Sequence, residues 1–138
     1  MRVLVIDGQG GGLGKQLVTA VKGYDRGIEV IAVGTNSAAT NMMLKAGADQ
    51  AATGENSVVT VCRSADVIMG PVGIVIADAM LGEITPRMAL AVGQSAAKRI
   101  LIPVNLCDNI VVGIENMSMG RRVECAVDAL KEIMASEG

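Results

Sequence analysis

The chain reads as a doubly wound α/β sandwich, three layers deep, with a mostly parallel six-stranded sheet and a single domain over residues 1–138. Three observations predict it. The run Val3-Leu4-Val5-Ile6 is unbroken in apolar residues, as expected of a parallel strand covered on both faces. Five glycines follow within the seven residues from Gly8 to Gly14, and they lead into the helical spacing Leu13, Leu17, Val18, Val21. Beyond that point short apolar runs alternate with amphipathic stretches, and Gly, Asn and Thr collect where the runs end.

The elements follow in order. Strand one spans Arg2 to Asp7, and helix one runs to about Lys22. Strand two is Ile28 to Val33, apolar apart from Glu29. Asn36 or Ser37 can cap a second helix that turns Met42, Met43 and Ala46 inward and closes at Gly47. A short third strand, Gln50 to Ala52, ends in Thr53-Gly54-Glu55-Asn56, and Ser57 to Ser64 reads as a short helix despite its β-branched residues. Strand four is Asp66 to Met69. The apolar segment Ile74 to Leu81, bounded by Gly73 and Gly82, reads as a short buried helix. Thr85 caps the next helix and Pro86 takes its first position, with Met88, Leu90 and Ala91 facing inward. Strand five is Arg99 to Val104, strand six Ile110 to Ile114, and an amphipathic helix spans Met119 to Ala135. Strands alternating with helices in this way give a Rossmann-like, nucleotide-binding class of sheet.

Composition narrows the function. Apolar residues make up 51% of the chain, yet Phe and Trp are absent and Tyr24 is the one aromatic, so the core is aliphatic. A net charge of −2 gives no electrostatic case for nucleic acid or an anionic membrane surface, and one Tyr offers no stacking platform for bases. No apolar run approaches the length of a membrane span. Cys62, Cys107 and Cys125 are odd in number and widely spaced, which reads as reduced thiols of a cytoplasmic protein. Val3 to Ile6 already forms a strand, so no signal peptide is expected before it.

A strand that turns through glycines into a helix puts bare N–H groups and the positive end of the helix at one point. That arrangement favours a phosphate, because no side chain blocks its approach. The candidate binding residues are Gly8, Gln9, Gly10, Gly11, Gly12, Leu13 and Gly14, joined by Thr35, Asn36 and Gly70 at the ends of strands two and four. Gly8, Gly12 and Gly14 fit G-x-x-x-G-x-G, whereas Gly8, Gly11 and Gly14 fit G-x-x-G-x-x-G. The spacing G-x-G-x-x-G fails at Leu13, and a Walker A loop fails at Gln9 and Gln16. A glycine cluster can equally serve tight packing of helix on strand, with no ligand. Asp7 bears on the choice: a carboxylate beside a pyrophosphate repels it by roughly 1–4 kcal/mol. It is tolerable if it accepts hydrogen bonds from the loop amides, or if it binds a divalent cation together with the phosphate.

The string Asp7-Gly8-x-x-x-Gly12-Leu13-Gly14-Lys15 resembles the cofactor loop of short-chain dehydrogenases, with Asp66 to Gly70 where those enzymes carry strand four. The likeness covers the first half of the chain and implies NAD(P) or another nucleotide as cofactor. The Tyr-x-x-x-Lys of that family is missing, because Tyr24 is followed four residues later by Ile28, and this excludes hydride transfer by that mechanism. Ile-Asp-Gly-Gln-Gly-Gly-Gly at 6–12, Gly-Thr-Asn at 34–36, Ala-Thr-Gly-Glu-Asn at 52–56 and Met-Leu-Gly-Glu-Ile-Thr-Pro at 80–86 are similar to a family of short bacterial proteins of unassigned function. That second likeness runs nearly full length and implies a Rossmann-like domain and a bacterial source.

An NAD site normally presents a carboxylate at the end of strand two for the ribose hydroxyls. Gly34-Thr35-Asn36 supplies none, and no Arg stands there for a 2′-phosphate. Thr35 and Asn36 can serve a ribose as neutral partners or cap helix two. With no His, the usual acid/base group near neutral pH and any histidine-held metal are excluded. The remaining catalytic candidates are Asp78, set within an apolar run and so in need of a partner, and Glu83, which with Thr85 otherwise suits the start of a helix. Asn105, Cys107 and Asp108 follow strand five. The sequence therefore supports a nucleotide- or dinucleotide-binding protein first. A small oligomeric enzyme with its site around Asp78 and Asn105 comes second, and a scaffold that binds nothing third. Mean hydropathy is positive and only 19% of residues are charged, which argues for a homodimer, with Gly73 to Leu81 or the face Val123, Val127, Leu130, Met134 as the surplus apolar surface.

Overall fold

Val3, Leu4 and Val5 are fully buried and Ile6 nearly so, because their strand lies at the centre of the sheet with helices above and below. The computed structural model describes residues 1–104, 106 and 108–137. Its strands are β1 (Arg2–Asp7), β2 (Glu29–Gly34), β3 (Gln50–Thr53), β4 (Val67–Pro71) and β5 (Lys98–Ile102). All pair in parallel, in the order β3-β2-β1-β4-β5. The helices are α1 (Gly12–Tyr24), α2 (Ser37–Lys45), α3 (Glu55–Cys62), α4 (Pro86–Gln94) and α5 (Met119–Glu137).

Alternating residues of β1 feed two cores. Val3 and Val5 pack with Leu17 and Val21 of α1, Met43 of α2 and Leu130 of α5. Leu4 and Ile6 pack with Val58 of α3 and with Met88 and Val92 of α4. The chain order reverses between β1 and β4, so the carboxyl ends of these two strands face a crevice, where ligands of open α/β sheets are held. Among the described residues no helix is long and apolar enough to cross a membrane.

Caps act as their residue types dictate. The Asn36 side chain accepts from the Ala39 amide at the start of α2, and that of Thr85 accepts from the Met88 amide at the start of α4, where Pro86 takes the first position.

Three expectations are corrected. The sheet has five strands, since Ile110 to Ile114 forms none. A turn closes from the Asn109 amide to the Leu106 carbonyl, and Gly113 at φ +80° breaks extended geometry within the run. Ile74 to Leu81 is no helix; a 3-10 turn over Val72–Val75 gives way to turns in which Asp78, Met80 and Leu81 take φ of 66°, 58° and 56°. On α4 the inward residues are Met88, Ala89 and Val92, whereas Leu90 is exposed. As for surplus apolar surface, Val123, Val127 and Leu130 are core.

Candidate functional site

The glycine loop is organised by Asp7, the last residue of β1. Its Oδ1 accepts from the Gly8 amide at 2.8 Å and its Oδ2 from the Gly14 amide at 2.7 Å. The carboxylate thus closes the loop on itself, from the end of the strand to the first turn of the helix. It is buried, and burial raises its pKa. The Gly14 and Gly8 amides oppose that rise, and the nearby charge of Glu83 adds to it. An acid with a raised pKa in a cleft invites a catalytic reading, but both oxygens are engaged by the backbone, so Asp7 holds the loop in shape.

The glycines divide by what a side chain would meet. A Cβ on Gly8 would lie 2.6 Å from Thr35 Oγ1 and 2.8 Å from Met80 Sδ. On Gly11, at φ +74°, it would lie 2.8 Å from the Cα of Ala39 in α2, and on Gly14 it would lie 2.9 Å from Asp7 Cβ. These three buried glycines let β1, α1 and α2 approach closely. Gly10 and Gly12 are exposed, and a Cβ on either meets nothing within 4 Å. All three members of G-x-x-G-x-x-G, Gly8, Gly11 and Gly14, are thus packing glycines, whereas Gly12 of G-x-x-x-G-x-G leaves backbone bare, as does Gly10.

In front of the bare backbone lies a cavity of about 210 Å³. The loop Asp7–Leu13 lines it, with Met80, Pro71 at the end of β4, Val104 after β5, and Met119. Gly12 and Met119 are the first residues of α1 and α5, so two helix amino-termini border one cavity. Among the described residues the amides of Gly10, Gly12 and Leu13 have no acceptor. The volume suits one phosphate-sized group with neighbouring atoms, and is below the 300–1,000 Å³ of a whole-ligand pocket. Two larger clefts of about 430 Å³ lie elsewhere, between α3 and α4 and between β5 and α5, and neither touches the loop.

Thr35 and Asn36 meet an unexpected partner. Glu83 Oε1 accepts from Thr35 Oγ1 at 2.5 Å, from the Gln9 amide at 2.8 Å and from Asn36 Nδ2 at 2.9 Å. Asn36 Nδ2 also donates to the Gln9 carbonyl. The helix-start role expected of Glu83 is therefore corrected, because the left-handed turns after Ala77 swing it away from α4 and onto the ends of β1 and β2. The Thr35 hydroxyl lowers its pKa most, against some burial, with help from the Gln9 amide and the Asn36 side chain. Glu83 is thus held as a carboxylate and is no proton donor near neutral pH.

The other candidates fall apart from this cluster. Asp78 is exposed, needs no buried partner, and lies in a separate cleft with Asp108 and Asn109. Gly70 is buried in β4, where a Cβ would run into the Ile6 carbonyl, so it serves strand spacing. Asn105 and Cys107 lie outside the described residues. Burial pushes the Cys62 thiol up to about 11, as for a packing group. Among the described residues no cluster of three His, Cys, Asp or Glu could hold a metal. Sequence reasoning missed Met80, Val104 and Met119. The one local signal was the placement of Met119 at the head of a helix that must pack beside α1.

The profile of a family described as "Domain of unknown function (DUF3842)" matches residues 2–135. No curated protein matches in sequence. Among solved structures, the chain is similar to a dodecameric FMN-dependent UbiX-like decarboxylase from Escherichia coli O157:H7. The identity is 17% and the TM-score 0.48, over 95% of this chain and 77% of that one.

Proposed function

We propose that this chain, which belongs to the family described as a domain of unknown function (DUF3842), binds the phosphate of a nucleotide-type small molecule at the mouth of the Gly8–Gly14 loop. One observation carries the reading. Gly10 and Gly12 present exposed amides, with open space where a side chain would stand, at the amino-terminus of α1 and beside a cavity at the switch between β1 and β4. Asp7 does not forbid an anion there, since the Gly8 and Gly14 amides neutralise much of its field. Binding ranks above catalysis: both oxygens of Asp7 are tied to the backbone, and Glu83, held ionised, has no proton to give.

The test is a thermal-shift panel of NAD, NADP, AMP, ATP, coenzyme A and S-adenosylmethionine. A ligand at 100 times its Kd should add about 2.7 kcal/mol of stability. Gly12→Val should keep the fold, because nothing lies within 4 Å of the new Cβ, and should remove that increment. Ligand stabilisation that survives Gly12→Val intact places the phosphate elsewhere.

The chain is further proposed to form a homodimer. Ile110 and Val112 are 89% and 87% exposed, Val111 stands between them, and β5 has a partner on one side only. An exposed apolar run and an open strand edge are each surface that a second copy would cover. Light scattering should return about twice the chain mass of 14.1 kDa, and the monomer mass at micromolar concentration would refute the dimer.

A further inference from the structure

We propose that Glu83 is the sugar-hydroxyl acceptor of the site and fixes its ligand class as nucleotides with an unsubstituted ribose 2′-hydroxyl. The inference rests on the phosphate reading above and adds the part of the ligand that lies next to the phosphate.

Strand β2 ends in Gly34-Thr35-Asn36 and brings no carboxylate to the place where a dinucleotide sheet needs one. A carboxylate nevertheless stands there, delivered from a segment 48 residues further along the chain than Thr35. Its attachment is one-sided. The three donors, Thr35 Oγ1, Asn36 Nδ2 and the Gln9 amide, all reach Oε1. Among the described residues none reaches Oε2, and no cation lies within 4 Å of either oxygen. One oxygen is clamped, and the other keeps its lone pairs for a donor the protein does not supply. A sugar hydroxyl is such a donor, and a hydrogen bond to an ionised acceptor is among the stronger kinds.

The position fits the rest of the ligand. Gln9, whose amide holds Glu83, is the neighbour of Gly10, and both line the cavity. Glu83 stands outside the lining of that cavity, so a phosphate on Gly10 and Gly12 would have to extend its sugar across Gln9 to reach Glu83. A 2′-phosphate would instead bring a second negative charge against a carboxylate without a cation, so the same residue rejects it. The backbone that carries Glu83 is costly to build, with Asp78, Met80 and Leu81 all left-handed. Such strain persists where surrounding contacts over-determine it, and here the backbone bonds from Asp78 to Ile84, Gly82 to Asp78, Glu83 to Met80 and Ile84 to Ala79 hold the turn, with the Glu83 clamp added to them.

Calorimetric titration of AMP, 2′-deoxy-AMP and adenosine 2′,5′-bisphosphate distinguishes the possibilities. The wild type should bind AMP at least tenfold more tightly than either analogue. Glu83→Gln, which keeps an acceptor oxygen for the clamp but loses the charge, should bring AMP and the bisphosphate within about threefold of each other. Thr35→Val, which frees Glu83 without replacing it, should narrow the same gap and serves if Glu83→Gln fails to fold. If AMP binds, Gly12→Val abolishes binding, and Glu83→Gln leaves the ratios unchanged, the sugar assignment fails and the phosphate site stands. Tighter AMP binding by Glu83→Gln would make Glu83 a plug that ligands displace, which also overturns the assignment. No binding of any of the three to the wild type overturns the sugar assignment, and the phosphate reading falls with it if NAD, NADP, ATP and coenzyme A also fail to stabilise the protein.

Discussion

Gly11→Val should cost about 2–6 kcal/mol of stability, a large part of the 5–15 kcal/mol that holds a typical domain together. Two effects add. A β-branched residue at φ +74° costs about 1–3 kcal/mol in backbone strain. Its Cβ would also lie 2.8 Å from the Cα of Ala39, and since a backbone atom cannot rotate aside, α2 must retreat from the loop at a further cost of about 1–3 kcal/mol. Gly12→Val, one residue along, meets open space and should cost far less. Chemical denaturation of the pair checks this directly. A Gly11→Val cost below about 1 kcal/mol would mean that α2 does not seat against the loop.

Asp7→Asn should destabilise by about 1–3 kcal/mol, although the two side chains have nearly the same shape. The carboxylate accepts from two amides, one on each oxygen. Asparagine keeps one acceptor and must turn its own NH₂ towards the other N–H, so two buried donors lose their partner. Relief of the burial cost of a charge offsets part of this. The pH dependence gives a second readout. Burial raises the folded-state pKa of Asp7 above its ordinary 3.8, so over that interval the folded state holds the proton more tightly than the unfolded state. Its contribution to stability therefore declines as pH rises from 3.8 through the raised value, and is flat above it. In Asp7→Asn that decline should vanish. Denaturant midpoints at a series of pH values measure it, and an unchanged slope would show that Asp7 is not perturbed by burial.

What could be read from the chain, and what could not, divides by the range of the forces involved. β1, the glycine turn and the head of α1 were legible because the apolar run, the glycines and the helical spacing lie within about twenty adjacent residues. The Asn36 and Thr85 caps were legible for the same reason, since each bonds an amide three residues ahead. Ile110 to Ile114 has strand-forming residues, but strand formation needs a partner, and the turn at Leu106 to Asn109 and the left-handed Gly113 keep the run from lying extended along β5. Ile74 to Leu81 misled by its apolar content, since left-handed turns rather than helix carry the chain back over the sheet. The partners of Glu83 were beyond reach of any local pattern: the Gln9 amide is 74 residues away in sequence. The one hint was Gly82, whose φ of +88° makes the reversal that aims Glu83 at the sheet.

The central place of β1 also sets an order of events during synthesis. Of the five strands β1 is made before the others, and it ends at the centre of the sheet, between β2 and β4. Its β2 side can zip early, since Arg2 meets Glu29 only 27 residues on. Its β4 side must wait for Asp66, 64 residues from the Arg2 amide it accepts from, and closing so long a loop is slow because its entropy is lost before any contact repays it. Until then one edge of a strand that is apolar from Val3 to Ile6 stays open to other chains. Glu83 arrives later still. The glycine turn is thus made well before its surroundings, so a polypeptide truncated before Glu83 would carry the motif without the carboxylate clamp, and without Val104 and Met119 of the cavity wall.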